Sequence, residues 1–366
     1  MKKYRILQYL TILAVVAGVS FSCKSPTSPS GGTPPDTTSN NFTWTQYTFG
    51  GQGGSSYFKD VAIVNDSDIW AVGDIYTGTS DTAFYNAVHW DGKQWTLVRI
   101  PQNLYNFDCS LAGSAYGVLL AVFAFKDGNL IFTSGGDFIL WNGASFTHLP
   151  CPNGAANSGV SKLWGASESD FYAVGRSGFI IHYSDGAWTQ LPSGTSLPIQ
   201  DIWGATDPKT GKEEILAVAS NVLALPQGKM LLEISGNAVT AVSDSGLPLA
   251  VSSVWFIPGW KYFIGGDGLY SSNAIGNSWQ GDTTQPLLYK DAVRGTGEND
   301  VFVVGGYGLV SHWNGQRWKQ FTGNDVSSFY GEYYSLDLKG NIVVAVGIMS
   351  GATINTEGVI LMGTRK

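Results

Sequence analysis

The chain has 366 residues and a formal net charge of −7, with 13% charged residues against 43% hydrophobic, 47 glycines and 13 tryptophans. A negative, lysine-poor surface argues against nucleic acid and against electrostatic attraction to anionic lipid. With no long stretch of 3.6-residue periodicity, the composition indicates an all-β protein.

Lys2, Lys3 and Arg5 precede an apolar run at 9–19, which is too short to span a bilayer and suits a signal-peptide core. Ser20-Phe21-Ser22-Cys23 follows, and then a polar, proline-rich stretch. A small residue before the cysteine, with such a stretch after it, resembles a bacterial lipobox. The resemblance implies that the Cys23 thiol is diacylated and becomes the first residue of the mature chain. Each buried CH₂ of such a lipid contributes about 0.8 kcal/mol of membrane binding. Residues 1–23 are therefore expected to be a lipoprotein signal, whose removal takes the formal charge to about −10. Lys24 after the cysteine fits sorting to the outer membrane, so the expected location is the cell envelope, lipid-anchored at that membrane. Residues 24–41 contain no apolar residue but proline and cannot offset their chain entropy by burial, so a disordered tether is expected there.

Beyond the tether the chain repeats. SKLWGASESDFYAVG (161–175) recurs as KDVAIVNDSDIWAVG (59–73) and as KDAVRGTGENDVFVVG (290–305), with weaker copies at 121–150, 199–243, 250–282 and 334–365. Each copy has four short apolar runs separated by Gly, Asp or Asn turns, as in a four-stranded antiparallel blade. The glycine ending the second strand falls at 73, 135, 175, 265, 305 and 347, with Ala219 in the fourth copy. After a first step of 62, steps of 40 to 46 with four strands per unit mark a β-propeller, here of seven blades. The last copy lacks its Trp-containing fourth strand, and the first ordered run, 41–47, matches it (compare Trp44 with Trp95 and Trp188). The expected fold is thus an all-β, seven-bladed propeller over 42–366. An N-terminal strand completes the last blade and closes the ring.

The Gly-Gly pairs at 135, 265 and 305 with Trp188-x-x-Leu191-Pro192 resemble kelch repeats. Ser184-Asp185-Gly186-Ala187-Trp188 resembles a degenerate Asp-box, as in bacterial propellers related to sialidases and photosystem II assembly factors. The resemblance covers 42–366 and implies the fold. It implies no single activity, because such propellers host hydrolases, lyases, oxidases and binding scaffolds.

The repeat explains most residues that suggest chemistry. Twelve of the 13 tryptophans take repeated strand positions, where they fill the wedge between blades; Trp260, in a turn, does not. His89, His182 and His312 share one position on third strands and are expected to make a repeated hydrogen bond, while His148 stands alone on a fourth strand. No metal-ligand spacing is present, and no cofactor is expected. The acidic turns ending in Asp68, Asp170 and Asp300 are too short for calcium loops, and their aspartates are expected to accept backbone N–H bonds. A sialidase needs an arginine cluster, but Arg176 and Arg294 are expected on opposite faces. Cys109 and Cys151 lie in loops sharing a face and are a candidate disulfide, suited to an oxidising compartment.

Two connections stand out by length, 74–86 and 102–118. They carry Tyr76, Phe84, Tyr85, Tyr105, Phe107 and Tyr116, with Asp74, Asp81 and Asp108, and form the candidate binding surface. No catalytic residue is assigned. The expectation is a monomeric, non-catalytic scaffold for a protein or glycan at the envelope. A carbohydrate-active enzyme working at the channel mouth is the alternative. Clustered carboxylates there, or Arg176 facing Tyr and His, would favour the enzyme; a Gly- and aromatic-lined mouth would favour the scaffold.

Overall fold

The computed structural model describes residues 37–366 except 81–82, 107, 153–158, 225–226 and 353. Cys23 and most of the tether lie outside the described residues, as do Asp81 and Phe107. Seven four-stranded antiparallel sheets form the propeller, together with one extra hairpin. Blades one to six run in chain order over 57–98, 121–148, 160–191, 199–242, 251–281 and 290–320. In the seventh, the N-terminal strand β1 Phe42–Phe49 lies beside the last strand Thr356–Arg365, followed by Ile342–Ser350 and Gly331–Lys339. Phe42 pairs with Arg365 and Phe49 with Gly358, so the N-terminal strand closes the ring. The clasp begins earlier than the expected boundary at 41. The Thr38 hydroxyl donates to the Asn299 carbonyl, and Asn40 Oδ1 lies 2.7 Å from His312 Nδ1 in blade six.

Seven buried apolar clusters each fill the wedge between two neighbouring blades. Trp260 joins one of them against Phe263, ring centroids 5.9 Å apart.

The first strands of all blades but the second carry a β-bulge near their start, at 59, 161, 200, 252, 291 and 334. The bulge accounts for the repeated glycine, which pairs with the residue just before it. A Cβ on Gly73, Gly175, Gly305 or Gly347 would meet a carbonyl oxygen in or just before the first strand at 2.1, 2.5, 2.0 or 2.0 Å. In blade five this position belongs to Gly266, paired with Val251, and not to Gly265 as the sequence spacing suggests.

Antiparallel order gives the disc two unlike faces. First-to-second and third-to-fourth strand connections emerge on one, here called the turn face. Second-to-third and blade-to-blade connections emerge on the other, the loop face.

Candidate functional site

A bulge turns one side chain out of the sheet's alternation. Lys59, Ser161, Gln200, Ser252, Asp291 and Tyr334 are the bulged residues, and all six line one cavity of about 330 Å³ at the axis of the loop face. Arg176, from the turn between the second and third strands of blade three, lines it too.

Deeper in the channel, carboxylates tie first strands together. Asp60 accepts the Val122 N–H (3.2 Å), Asp201 the Val254 N–H (2.9 Å) and Asp337 the Ile63 N–H (2.8 Å), each from the next blade of the ring. Two cations brace non-adjacent blades. Lys162 of blade three reaches Asp60 of blade one (2.6 Å) and Ser335 of blade seven (3.2 Å). Arg294 of blade six grips Asp201 of blade four with two bonds, 2.8 and 2.9 Å, and lies over the Trp203 ring. Burial raises the Asp201 carboxyl, but Arg294 outweighs it and leaves the group below its ordinary value. Asp337 has no such cation against it, and burial pushes it up to about 6. These inner charges are structural, because each one satisfies a backbone group or spans blades.

The outer ring is different. Lys59 sits over the rings of Tyr57 (5.0 Å) and Tyr334 (4.7 Å), and burial lowers its pKa. The Asp291 carboxyl is pushed up to about 8, first by burial and then by Glu332. Its Oδ2 is buried without a hydrogen-bond partner. Neither Lys59 nor Arg176 has a carboxylate within ion-pair distance among the described residues. The mouth is therefore charged, and not the Gly- and aromatic-lined opening considered above. Arg176 and Arg294 do not lie on opposite faces; both line this cavity. Sequence reasoning missed Lys59, Asp291 and Tyr334. A usable signal exists: the bulged residue stands 14 positions before the repeat glycine in blades one, three, five and six.

The aromatic loops come together in part. Tyr76, Phe84 and Tyr116 line a cleft of about 530 Å³ with Asp74, and Tyr76 and Phe84 stand 5.3 Å apart. Tyr85 joins them through Arg99, which lies 4.8 Å from its ring and 5.7 Å from that of Tyr116. Tyr105 is not part of this cleft. It ends β6 Gln102–Tyr105, which pairs with β7 Leu111–Ala115 as the extra hairpin, and its hydroxyl accepts a bond from Asn103 (3.1 Å). Asp108 also stays apart and holds Ser110 instead. Cys109, at the tip of the hairpin, is joined to Cys151 by a disulfide.

The histidine and aspartate repeats prove to be one device. His89, His182 and His312 Nε2 lie 2.9, 2.8 and 2.9 Å from Asp68, Asp170 and Asp300 Oδ1. Each imidazole stacks on the aromatic residue two positions beyond the aspartate, at 4.4 Å (Trp70), 4.1 Å (Tyr172) and 4.3 Å (Phe302). The aspartates thus hold imidazoles and not the backbone N–H groups expected of turn residues. His148 is held by Asp137 (3.0 Å).

Large exposed apolar side chains are unevenly placed. Of the eleven among the described residues, ten lie in loop-face connections, including Leu104, Leu111, Val222, Leu223, Leu287 and Ile354; Leu97 is the exception.

These features define the class: a seven-bladed β-propeller with one apolar, loop-bearing face around a charged axial mouth. No family model and no curated protein matches the chain. Among solved structures it is similar to "YCF48 bound to D1 peptide" (14% identity, TM-score 0.60), over 91% of this chain and 100% of that one. It is similar also to YCF48 from Cyanidioschyzon merolae (13%, 0.56), over 88% and 99% of the two chains. The WD40 propeller domain of Doa1 gives 13% and 0.56 over 89% and 97%. At these identities the likeness establishes the fold alone.

Proposed function

We propose that the protein is a non-catalytic docking scaffold, held at the cell envelope by a lipid on Cys23, that binds a protein partner on its loop face. The observation carrying this is the concentration of ten exposed apolar side chains on one face of the disc. Exposed apolar side chains gathered on one face of a molecule, and not scattered over it, mark a candidate interaction surface. Most of those outside the aromatic loops are aliphatic, and Leu223, Leu287 and Ile354 offer no flat ring for a sugar, which favours protein over glycan. The similarity to YCF48, whose structure is described as bound to a D1 peptide, supports the same reading. A photo-crosslinker at Leu223 or Leu287 should capture one protein in the living cell, and one at Lys93 or Lys209 on the turn face should capture none. Equal capture from both faces, or none from either, overturns the reading. The anchor is tested separately: the chain should sediment with membranes and become soluble on Cys23→Ser.

One observation favours an enzyme instead. Glu332 acts on the Asp291 carboxyl at the mouth and, after burial, helps to raise its pKa, and a raised carboxyl beside a second carboxylate suits glycoside hydrolysis. Turnover of any polysaccharide that disappears in Asp291→Asn would establish that reading over the scaffold.

A further inference from the structure

A partner seated on the apolar loop face covers the axial mouth and withdraws its charges from water. Leu287 and Tyr289, in the connection entering blade six, are exposed beside the bulge that carries Asp291. The two inner cations are already matched, Lys162 by Asp60 and Arg294 by Asp201. The outer pair is not. Lys59 lies over the two tyrosine rings and makes no ion pair among the described residues, although Glu332 and Asp291 act on it from a distance, and Arg176 stands exposed at the junction of the mouth with an outer groove lined by 176–179 and 190–196. Arg176 has no carboxylate within ion-pair distance among the described residues, so covering it leaves a positive charge without a close counter-charge, and a buried unpaired charge costs several kcal/mol. A partner that binds this face must therefore supply an anionic group at the axis, or bind weakly.

We propose, resting on the docking reading above, that the mouth receives one acidic side chain of the partner protein, held by Arg176 and Lys59. An extended segment lying in the groove beside Arg176 carries that residue inward, and apolar residues flanking it meet the surrounding loop side chains. Arg176 offers a planar fork to the carboxylate and Lys59 a point charge from the opposite wall. Burial and Glu332 push the Asp291 carboxyl up to about 8 against the opposing effect of Lys59, so it presents less repelling charge to the incoming oxygen. On a chain of formal charge −7 this is a local reversal of sign, which makes the acidic residue a requirement for register as much as for affinity.

The test is selection of random linear peptides, displayed on phage, against the immobilised chain and against Arg176→Ala, Lys59→Met and Arg176→Glu. Thermal unfolding of each variant is measured first, and neither side chain makes a hydrogen bond among the described residues that the fold would lose. The wild type should enrich peptides with Asp or Glu at one fixed position among apolar residues, with at least ten-fold weaker binding when that residue becomes Asn or Gln. Arg176→Ala and Lys59→Met should lose the acidic preference, and Arg176→Glu should replace it with Lys or Arg. Apolar peptides enriched without an acidic position would overturn the proposal and leave the docking reading standing. So would an acidic preference that survives in the variants. Enrichment of no peptide would overturn both. Oligogalacturonate binding that depends on Arg176, in place of peptide binding, would reassign the mouth to an acidic glycan and overturn the proposal too.

Discussion

On the turn face, Asp68, Asp170 and Asp300 hold three imidazoles at nearly equal distances, each against an aromatic ring two residues further on. On the loop face, the connections share neither length nor composition. They run from the single residue 267 in blade five to the 102–118 connection with its own hairpin and disulfide. One face is built from what the blades have in common, the other from what distinguishes them. The chain also enters and leaves the propeller on the common face, where Thr38, Asn40 and Arg365 contact blade six. Stability should therefore fail first at the turn face, and recognition at the loop face.

The largest effect is expected at the clasp. Deleting 37–49 removes the outer strand of blade seven and with it Phe42, which packs on Phe302 and Phe321 and closes the wedge to blade six. Cooperative thermal unfolding should be lost, while Phe42→Ala alone should cost about 3 kcal/mol. Removing only 37–40 should give a smaller but measurable drop in Tm, since Thr38 and Asn40 already bond to blade six. The disulfide comes next. It spans 42 residues, so a Cys109→Ser, Cys151→Ser double variant should lose about 4 kcal/mol in the chain-entropy model, measured by denaturant unfolding. A loss confined to the hairpin, with blade two unaffected in hydrogen exchange, would show that the bond pins the loop rather than the ring.

The histidine latches should rank by burial. His312 is fully buried with Asp300, Asn40 and Phe302 around it, and burial lowers its pKa despite the aspartate. His312→Ala should cost about 3 kcal/mol, because it strands a buried carboxylate shared with Thr296 and Arg365. His89 is more than a quarter exposed, and His89→Ala should cost about 1 kcal/mol. Equal costs would mean that stacking, common to both, outweighs the hydrogen bond.

How far the sequence could be read follows the same division. Blade number, strand order and the closing strand were legible because glycine and tryptophan recur at positions that the packing repeats. The mouth was not legible, for a geometric reason. Lys59-Asp60 and Lys290-Asp291 open two of the clearest copies and look equivalent, yet Lys59 stands 14 residues before Gly73 and Lys290 stands 15 before Gly305, so the bulge falls on Lys59 in one blade and on Asp291 in the other. Lys59 lines the mouth, whereas Lys290 is 1% exposed and donates to the Pro286 and Leu288 carbonyls. A one-residue shift exchanges faces in a strand, so matched letters hid opposite environments. The aromatic cleft was partly legible, since loop length marked it. Single aliphatic residues such as Leu223 and Leu287 carried no signal, because in a chain of short apolar strands they resemble strand residues.

The smallest effect, and the one most specific to the loop face, is the pH dependence set by Asp291. Its folded pKa, about 8, lies above the ordinary 3.8 of an unfolded aspartate. The folded state therefore binds this proton more tightly than the unfolded state does. Its contribution to stability is fully present below about pH 4 and is lost as pH rises to about 8. Asp291→Asn cannot ionise, so the variant should match the wild type near pH 4 and exceed it progressively up to pH 8. Solvent at the mouth should relax the difference to about 1–2 kcal/mol. Asp337, pushed up to about 6 by burial, should leave the variant with a shallower loss that ends near pH 6. A difference between wild type and Asp291→Asn that is constant across this range would mean that the carboxyl is ionised throughout, with Lys59 as its partner. The mouth would then carry no unmatched cation but Arg176, and Lys59→Met would destabilise the fold where the present structure expects it to be neutral.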